Sequence, residues 1–173
     1  IAEDKFGNLW IATRNGLNRF NKRTNLFLNV TSHLYNVMNA GHNSVSALEI
    51  DKQGNLFYTA IGKLFLINAE DLQKPKPKSI PLMDLVDGSF ALDERDNLHV
   101  ASNGSYYVCP TNKITNIIAS KKFTDSSIDK RSVLQVFYFN HSVYIISGGV
   151  LYSVDESKKQ FVELFEDDLS EKT

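Results

Sequence analysis

The residues of this chain that could do chemistry beyond packing are four histidines, one cysteine and a recurring aspartate. A catalytic centre needs a nucleophile with its base, paired carboxylates in one cleft or a cluster of metal ligands. His33, His42, His99 and His141 are scattered without metal-ligand or triad spacing, so no catalytic residue is assigned. Cys109 is the single cysteine, which excludes an internal disulfide and a cysteine zinc site; it reads as a small residue packed in a strand. Asp4-Lys5-Phe6-Gly7-Asn8 could be mistaken for a calcium loop, but the regular oxygen ligands and the distal Glu are missing. Neither a metal nor a cofactor is expected. Asn29-Val30-Thr31, Asn103-Gly104-Ser105 and Asn140-His141-Ser142 fit the glycosylation sequon, a pattern short enough to arise by chance.

Bulk properties narrow the function further. In 173 residues, 42% hydrophobic and 23% charged, there is material for one ordinary domain with a sizeable core. Nineteen basic residues against 20 acidic ones give a net charge of -1. That balance supplies no electrostatic case for nucleic acid or an anionic membrane, so any binding site must be local. No apolar run approaches the ~18 residues of a membrane span.

The element that has to position everything else is a repeat. Residues 3 to 21, EDKFGNLWIATRNGLNRFN, read as a turn, a short apolar strand, a second turn and an alternating strand. Asp51, Gly54, Asn55, Leu56 and Phe57 repeat Asp4, Gly7, Asn8, Leu9 and Trp10. A third unit keeps Asp93, Asn97 and Leu98, with Asp96 at the turn glycine and His99 at the tryptophan, where it reads as packing. In the fourth the turn has shrunk to Asn140-His141-Ser142 before Val143 to Ser147. Leu9, Leu56, Leu98 and Val143 are spaced by 47, 42 and 45 residues, the length of a four-stranded propeller blade.

The expectation is therefore an all-β fold of four blades, in units of about residues 1–31, 44–84, 88–120 and 132–166, followed by an acidic tail over 166–173. Inner strands are placed at Ile1 to Asp4, Ser44 to Asp51, Gly88 to Asp93 and Ser132 to Phe139. Outer strands are placed at Asn25 to Val30, Lys78 to Met83, Lys113 to Ala119 and Gln160 to Phe165. Second strands such as Leu56 to Ala60 barely alternate, as expected where both faces are covered. Asn68 to Gln73 is at most a turn of helix, and Lys74-Pro75-Lys76-Pro77-Lys78 reads as an extended, solvated connection.

With the first two units aligned, the chain resembles the two-component regulator propeller repeat. That family repeats an Asp, a Gly-Asn turn, a Leu-Trp-Ile-Gly-Thr-like strand and a Gly-Leu-Tyr-Arg-Phe-like strand. Asp4, Gly7, Asn8, Leu9, Trp10, Ile11, Thr13, Gly16, Leu17, Arg19 and Phe20 sit at its motif positions, with Ala12 where glycine is usual. Phe57, His99 and Tyr144 replace the tryptophan later on. The resemblance implies part of the periplasmic, ligand-sensing region of a hybrid two-component histidine kinase, of the kind in which gut Bacteroidetes sense oligosaccharides. It also implies a propeller of about seven blades, of which this chain supplies four. The partners it implies are the remaining blades of the same polypeptide, a possible second copy of the receptor and an oligosaccharide ligand. A self-closed four-bladed propeller, a protein-interaction scaffold and a propeller lyase or hydrolase are the other readings.

Recurrence of Asp4, Asp51 and Asp93, of Gly7 and Gly54, and of Asn8, Asn55 and Asn97 together with Trp10 points to blade building rather than to ligand contact. Recognition is expected in the non-repeating loops that follow second and fourth strands and ring one mouth of a propeller channel. Those loops carry Arg14, Asn15, His33, Tyr35, His42, Asn43, Asn103 and, after Lys130, Arg131. Aromatic platforms and planar donors of these types suit a carbohydrate.

Overall fold

The computed structural model describes residues 1–31, 44–85, 88–114, 117–125, 128 and 133–166. Its architecture is that of β-propeller blades: four antiparallel sheets, each of four strands in sequential order. The first sheet comprises β1 (Ala2–Glu3), β2 (Asn8–Thr13), β3 (Gly16–Asn21) and β4 (Leu26–Asn29). The second comprises β5 (Val45–Ile50), β6 (Leu56–Ala60), β7 (Lys63–Ile67) and β8 (Ile80–Asp84). These two form one compact unit, residues 1–84.

A second compact unit, residues 85–173, holds the other two sheets. They are β9 (Gly88–Leu92), β10 (Asn97–Ser102), β11 (Ser105–Pro110) and β12 (Lys121–Thr124), then β13 (Val133–Phe139), β14 (Ser142–Ser147), β15 (Val150–Asp155) and β16 (Gln160–Glu166).

Turn chemistry fixes where each strand begins. In the first turn of a unit a positive φ is needed, supplied by Gly7 at 80°, Gly54 at 87° and, in the third unit, Asp96 at 58°. Aspartate is among the few non-glycine residues that visit this region routinely, which is how the third turn survives without its glycine. The fourth turn closes on two residues, Asn140 and His141, both at positive φ as a tight hairpin turn requires. Gly16 is obligatory for a different reason. A Cβ there would stand 2.1 Å from Thr31 Oγ1, the atom that accepts the Leu17 amide at 2.9 Å.

Each unit has its own core. In residues 1–84 it gathers Trp10, Leu17, Leu56, Tyr58, Phe65, Ile67 and Leu72. In the second it gathers Tyr106, Phe123, Ile128, Val136, Ile145, Tyr152 and Phe161. All of β6 is buried, as the absence of alternation predicts, whereas β14 alternates half-buried with buried residues, the pattern of a sheet covered on one face.

One predicted strand is displaced. Lys113 to Ala119 is not the outer strand of the third sheet; that stretch forms two short 3-10 turns, Thr111–Lys113 and Ile117–Ser120, and the sheet is completed by β12, carrying it to Thr124 rather than 120. The Ser120 hydroxyl closes the second turn on the Ile117 carbonyl at 2.6 Å, burying Ile117. Phe123 is then the residue that enters the core, 5.3 Å from Tyr106 and 5.0 Å from Phe161, centroid to centroid. Asn68 to Gln73 forms turns closed by Asp71 N to Asn68 O at 2.9 Å, and residues 167–173 of the acidic tail lie outside the described residues.

Candidate functional site

The repeated aspartate is the hub of its turn. Asp4 Oδ1 accepts the Phe6 and Asn8 amides, both at 2.9 Å, while Oδ2 accepts Asn8 Nδ2 at 2.9 Å and Trp10 Nε1 at 2.8 Å. Asp51 accepts the Asn55 amide at 2.7 Å and Asn55 Nδ2 at 2.9 Å. Phe57, at the tryptophan position, has no donor to add. In the third unit Asp93 accepts Arg95 N at 2.8 Å, Asn97 N at 2.7 Å and Asn97 Nδ2 at 2.8 Å.

His99 restores the contact that Phe57 lost, placing Nε2 3.1 Å from Asp93 Oδ2. A carboxylate can only accept, so Nε2 donates to Asp93, while Nδ1 lies 2.7 Å from the Tyr106 hydroxyl. The imidazole thus stands in for an indole, with both nitrogens engaged and 5% of its surface exposed.

Around that histidine the second unit opens a cavity of about 360 Å3, within the usual range for ligand pockets. The Asp93 turn supplies Glu94 and Arg95, the β13–β14 turn supplies His141, and the end of β15 supplies Glu156. Tyr138 lays its ring nearly parallel to His99, at 13° with centroids 6.2 Å apart. His141 Nδ1 meets Glu94 Oε1 at 2.8 Å.

Negative charge dominates the electrostatics. Burial, followed by the charges of Glu156 and Asp93, pushes the Tyr106 hydroxyl far above the ordinary tyrosine value. Burial, then Glu94 and Asp93, raises Tyr138 in the same direction. Burial alone would raise Asp93, but the donors of Asn97, His99 and Arg95 outweigh it and hold the carboxyl below its usual value. The cavity presents carboxyl groups beside aromatic rings, an arrangement that accepts hydroxyl donors and packs against a ring's apolar face.

Of the loop residues singled out from the sequence, Arg14, Asn15 and Asn103 fall among the described residues. Arg14 and Asn15 are exposed in the β2–β3 turn, where the Asn15 carbonyl accepts Asn29 Nδ2 at 2.9 Å. Asn103 is exposed in the β10–β11 turn at a φ of 47°, in the other unit. None of the three lines this cavity. His33, Tyr35, His42, Asn43, Lys130 and Arg131 lie outside the described residues. Sequence reasoning missed Glu94, Tyr138 and Glu156, which occupy non-repeating positions next to repeating ones. The readable signal was the replacement of Lys5-Phe6 by Glu94-Arg95 within an otherwise repeated turn.

Four sequential four-stranded sheets on a repeated turn define a β-propeller protein, and solved structures agree. PorZ, a surface component of the type-IX secretion system of Porphyromonas gingivalis, matches 94% of the chain at 12% identity and a TM-score of 0.65. The extracellular domain assigned to a hybrid two-component system of Bacteroides thetaiotaomicron matches 97% at 15% identity and 0.55. An auxiliary nutrient binding protein of the same organism matches 93% at 11% identity and 0.59. The chain spans 21%, 30% and 39% of these three proteins, and at such identities the likeness is one of fold. No protein-family model and no curated protein matches the chain by sequence.

Proposed function

We propose that this chain is a non-enzymatic segment of the extracytoplasmic sensor region of a hybrid two-component system, binding an oligosaccharide or a related hydroxyl-rich small ligand and signalling to a kinase outside the chain. The observation that carries this reading is the cavity where the ring of Tyr138 lies beside the carboxylates of Glu94 and Glu156. Carboxylates bond sugar hydroxyls through charge-assisted hydrogen bonds, and a tyrosine ring packs against the apolar face of a sugar. The resemblance of the turns to the regulator propeller repeat supports the same context, as does a fold shared with an extracellular domain of such a system. Further blades of the same polypeptide and a second receptor copy are the partners this reading requires.

His99, which with Asp93 looks like half of a catalytic pair, is committed at both nitrogens to the role an indole fills in the first sheet. The test is calorimetric titration of the full chain with a panel of neutral oligosaccharides, followed by chromatography of the ligand. One panel member should bind saturably and be recovered unchanged. Glu94→Gln and Tyr138→Ala should each weaken it about tenfold, the scale of one lost charge-assisted bond or ring contact. Binding of no panel member, or a cleaved product, would overturn the proposal.

A further inference from the structure

The first unit carries a second cavity, of about 530 Å3, whose chemistry is the reverse of the one described above. Arg19, Lys22 and Arg23 line it, and no carboxylate does. Arg19 is held rigidly: Nη1 donates to the carbonyls of Leu72 and, at 3.1 Å, Lys74, and the guanidinium lies 5.9 Å from the centroid of the Trp10 ring. Its remaining N–H groups are oriented in advance, so a planar anion meeting them loses little side-chain entropy on binding. Asn21 accepts the Arg23 and Thr24 amides through Oδ1, both at 3.0 Å, leaving Nδ2 as a donor. Lys22 has a counter-charge in Glu3 at 2.8 Å, but that pair is half exposed on both sides and therefore weak. Phe6, 44% exposed, adds an aromatic ring to the rim.

We propose that this cavity binds a small polar molecule bearing an oxyanion, a carboxylate or a sulfate ester on a sugar-sized body. Lys22 has only an exposed carboxylate partner in Glu3 and Arg23 lines the same cavity, so an anion there would meet basic side chains, and a fixed guanidinium matches the geometry of both oxyanions. Both cavities are lined in part by the turn that follows the repeated aspartate: Phe6 and Gly7 here, Glu94 and Arg95 in the second unit. This site does not depend on the ligand proposed for the second unit.

Trp10 is the only tryptophan, and its ring lies 5.9 Å from the Arg19 guanidinium, so its fluorescence reports on the surroundings of that cavity residue. The full chain is titrated at constant ionic strength with sodium glucuronate, glucose 6-sulfate and glucose. At least one charged probe should give a saturable change while glucose gives none, and the two charged probes separate carboxylate from sulfate recognition. The double variant Lys22→Gln/Arg23→Gln, at exposed positions that spare the Arg19 clamp, should weaken that binding about tenfold or more. Glu94→Gln, in the other unit, should leave it unchanged. Equal binding of glucose, no response to either charged probe, or an unaltered affinity in the double variant would overturn the proposal.

Discussion

At the scale of single residues, a half-buried carboxylate at the head of a strand keeps its charge more readily when donors surround it. Asp93 is surrounded, and the donors of Asn97, His99 and Arg95 hold its carboxyl below the ordinary value in spite of burial. Because the folded value is the lower one, the resulting stability is fully present above the unfolded value of about 3.9 and is lost as pH falls through the folded value. Asp93→Asn, which keeps one acceptor oxygen but cannot ionise, should cost about 1–3 kcal/mol at pH 7. Urea unfolding of both proteins should show that deficit shrinking as pH drops from about 5 to about 3. A deficit constant over that range would mean that the ionised carboxylate is not what the donors stabilise.

Elements show where repetition made the fold readable and where it did not. The Asp-Gly-Asn turn and the apolar strand after it recur in recognisable form because they solve one local problem, that of starting the second strand under a buried carboxylate. Outer strands solve no such problem, and the third was misplaced because Ile114, Ile117 and Ile118 look like a strand while Lys121 and Lys122 look like solvent. Tertiary packing decides the matter: Phe123 enters the core, and Ile118 stays 65% exposed. Phe123→Ala should therefore destabilise the chain by about 3–5 kcal/mol. Ile118→Ala should change it by less than about 0.5 kcal/mol. Thermal or urea unfolding of the two variants separates the assignments, since a strand over residues 113–119 would reverse the order of the two effects.

For the molecule as a whole, the blades were legible and the lining of the second unit's cavity was not, for one physical reason. A repeat announces itself through residues that recur, and these are the residues that build blades: Asp4, Asn8 and Trp10, then Asp93, Asn97 and His99. A cavity is formed by what the repeat leaves variable, so Glu94, Tyr138 and Glu156 come from three separate strands or turns and carry no common spacing. Loop composition pointed to Arg14, Asn15, His33, Tyr35, His42, Asn43, Asn103 and Arg131; of these Arg14, Asn15 and Asn103 are described, and they are polar and exposed as loop residues are whatever their role. Recognition is proposed to use the turns that precede β10 and β14, which supply Glu94 and His141 to the cavity. Amide hydrogen exchange of the full chain, with and without the tightest-binding oligosaccharide at saturation, tests it most directly. Added protection is expected over residues 93–97 and 140–143; protection confined to the turns at 13–16 and 102–105 would contradict that assignment.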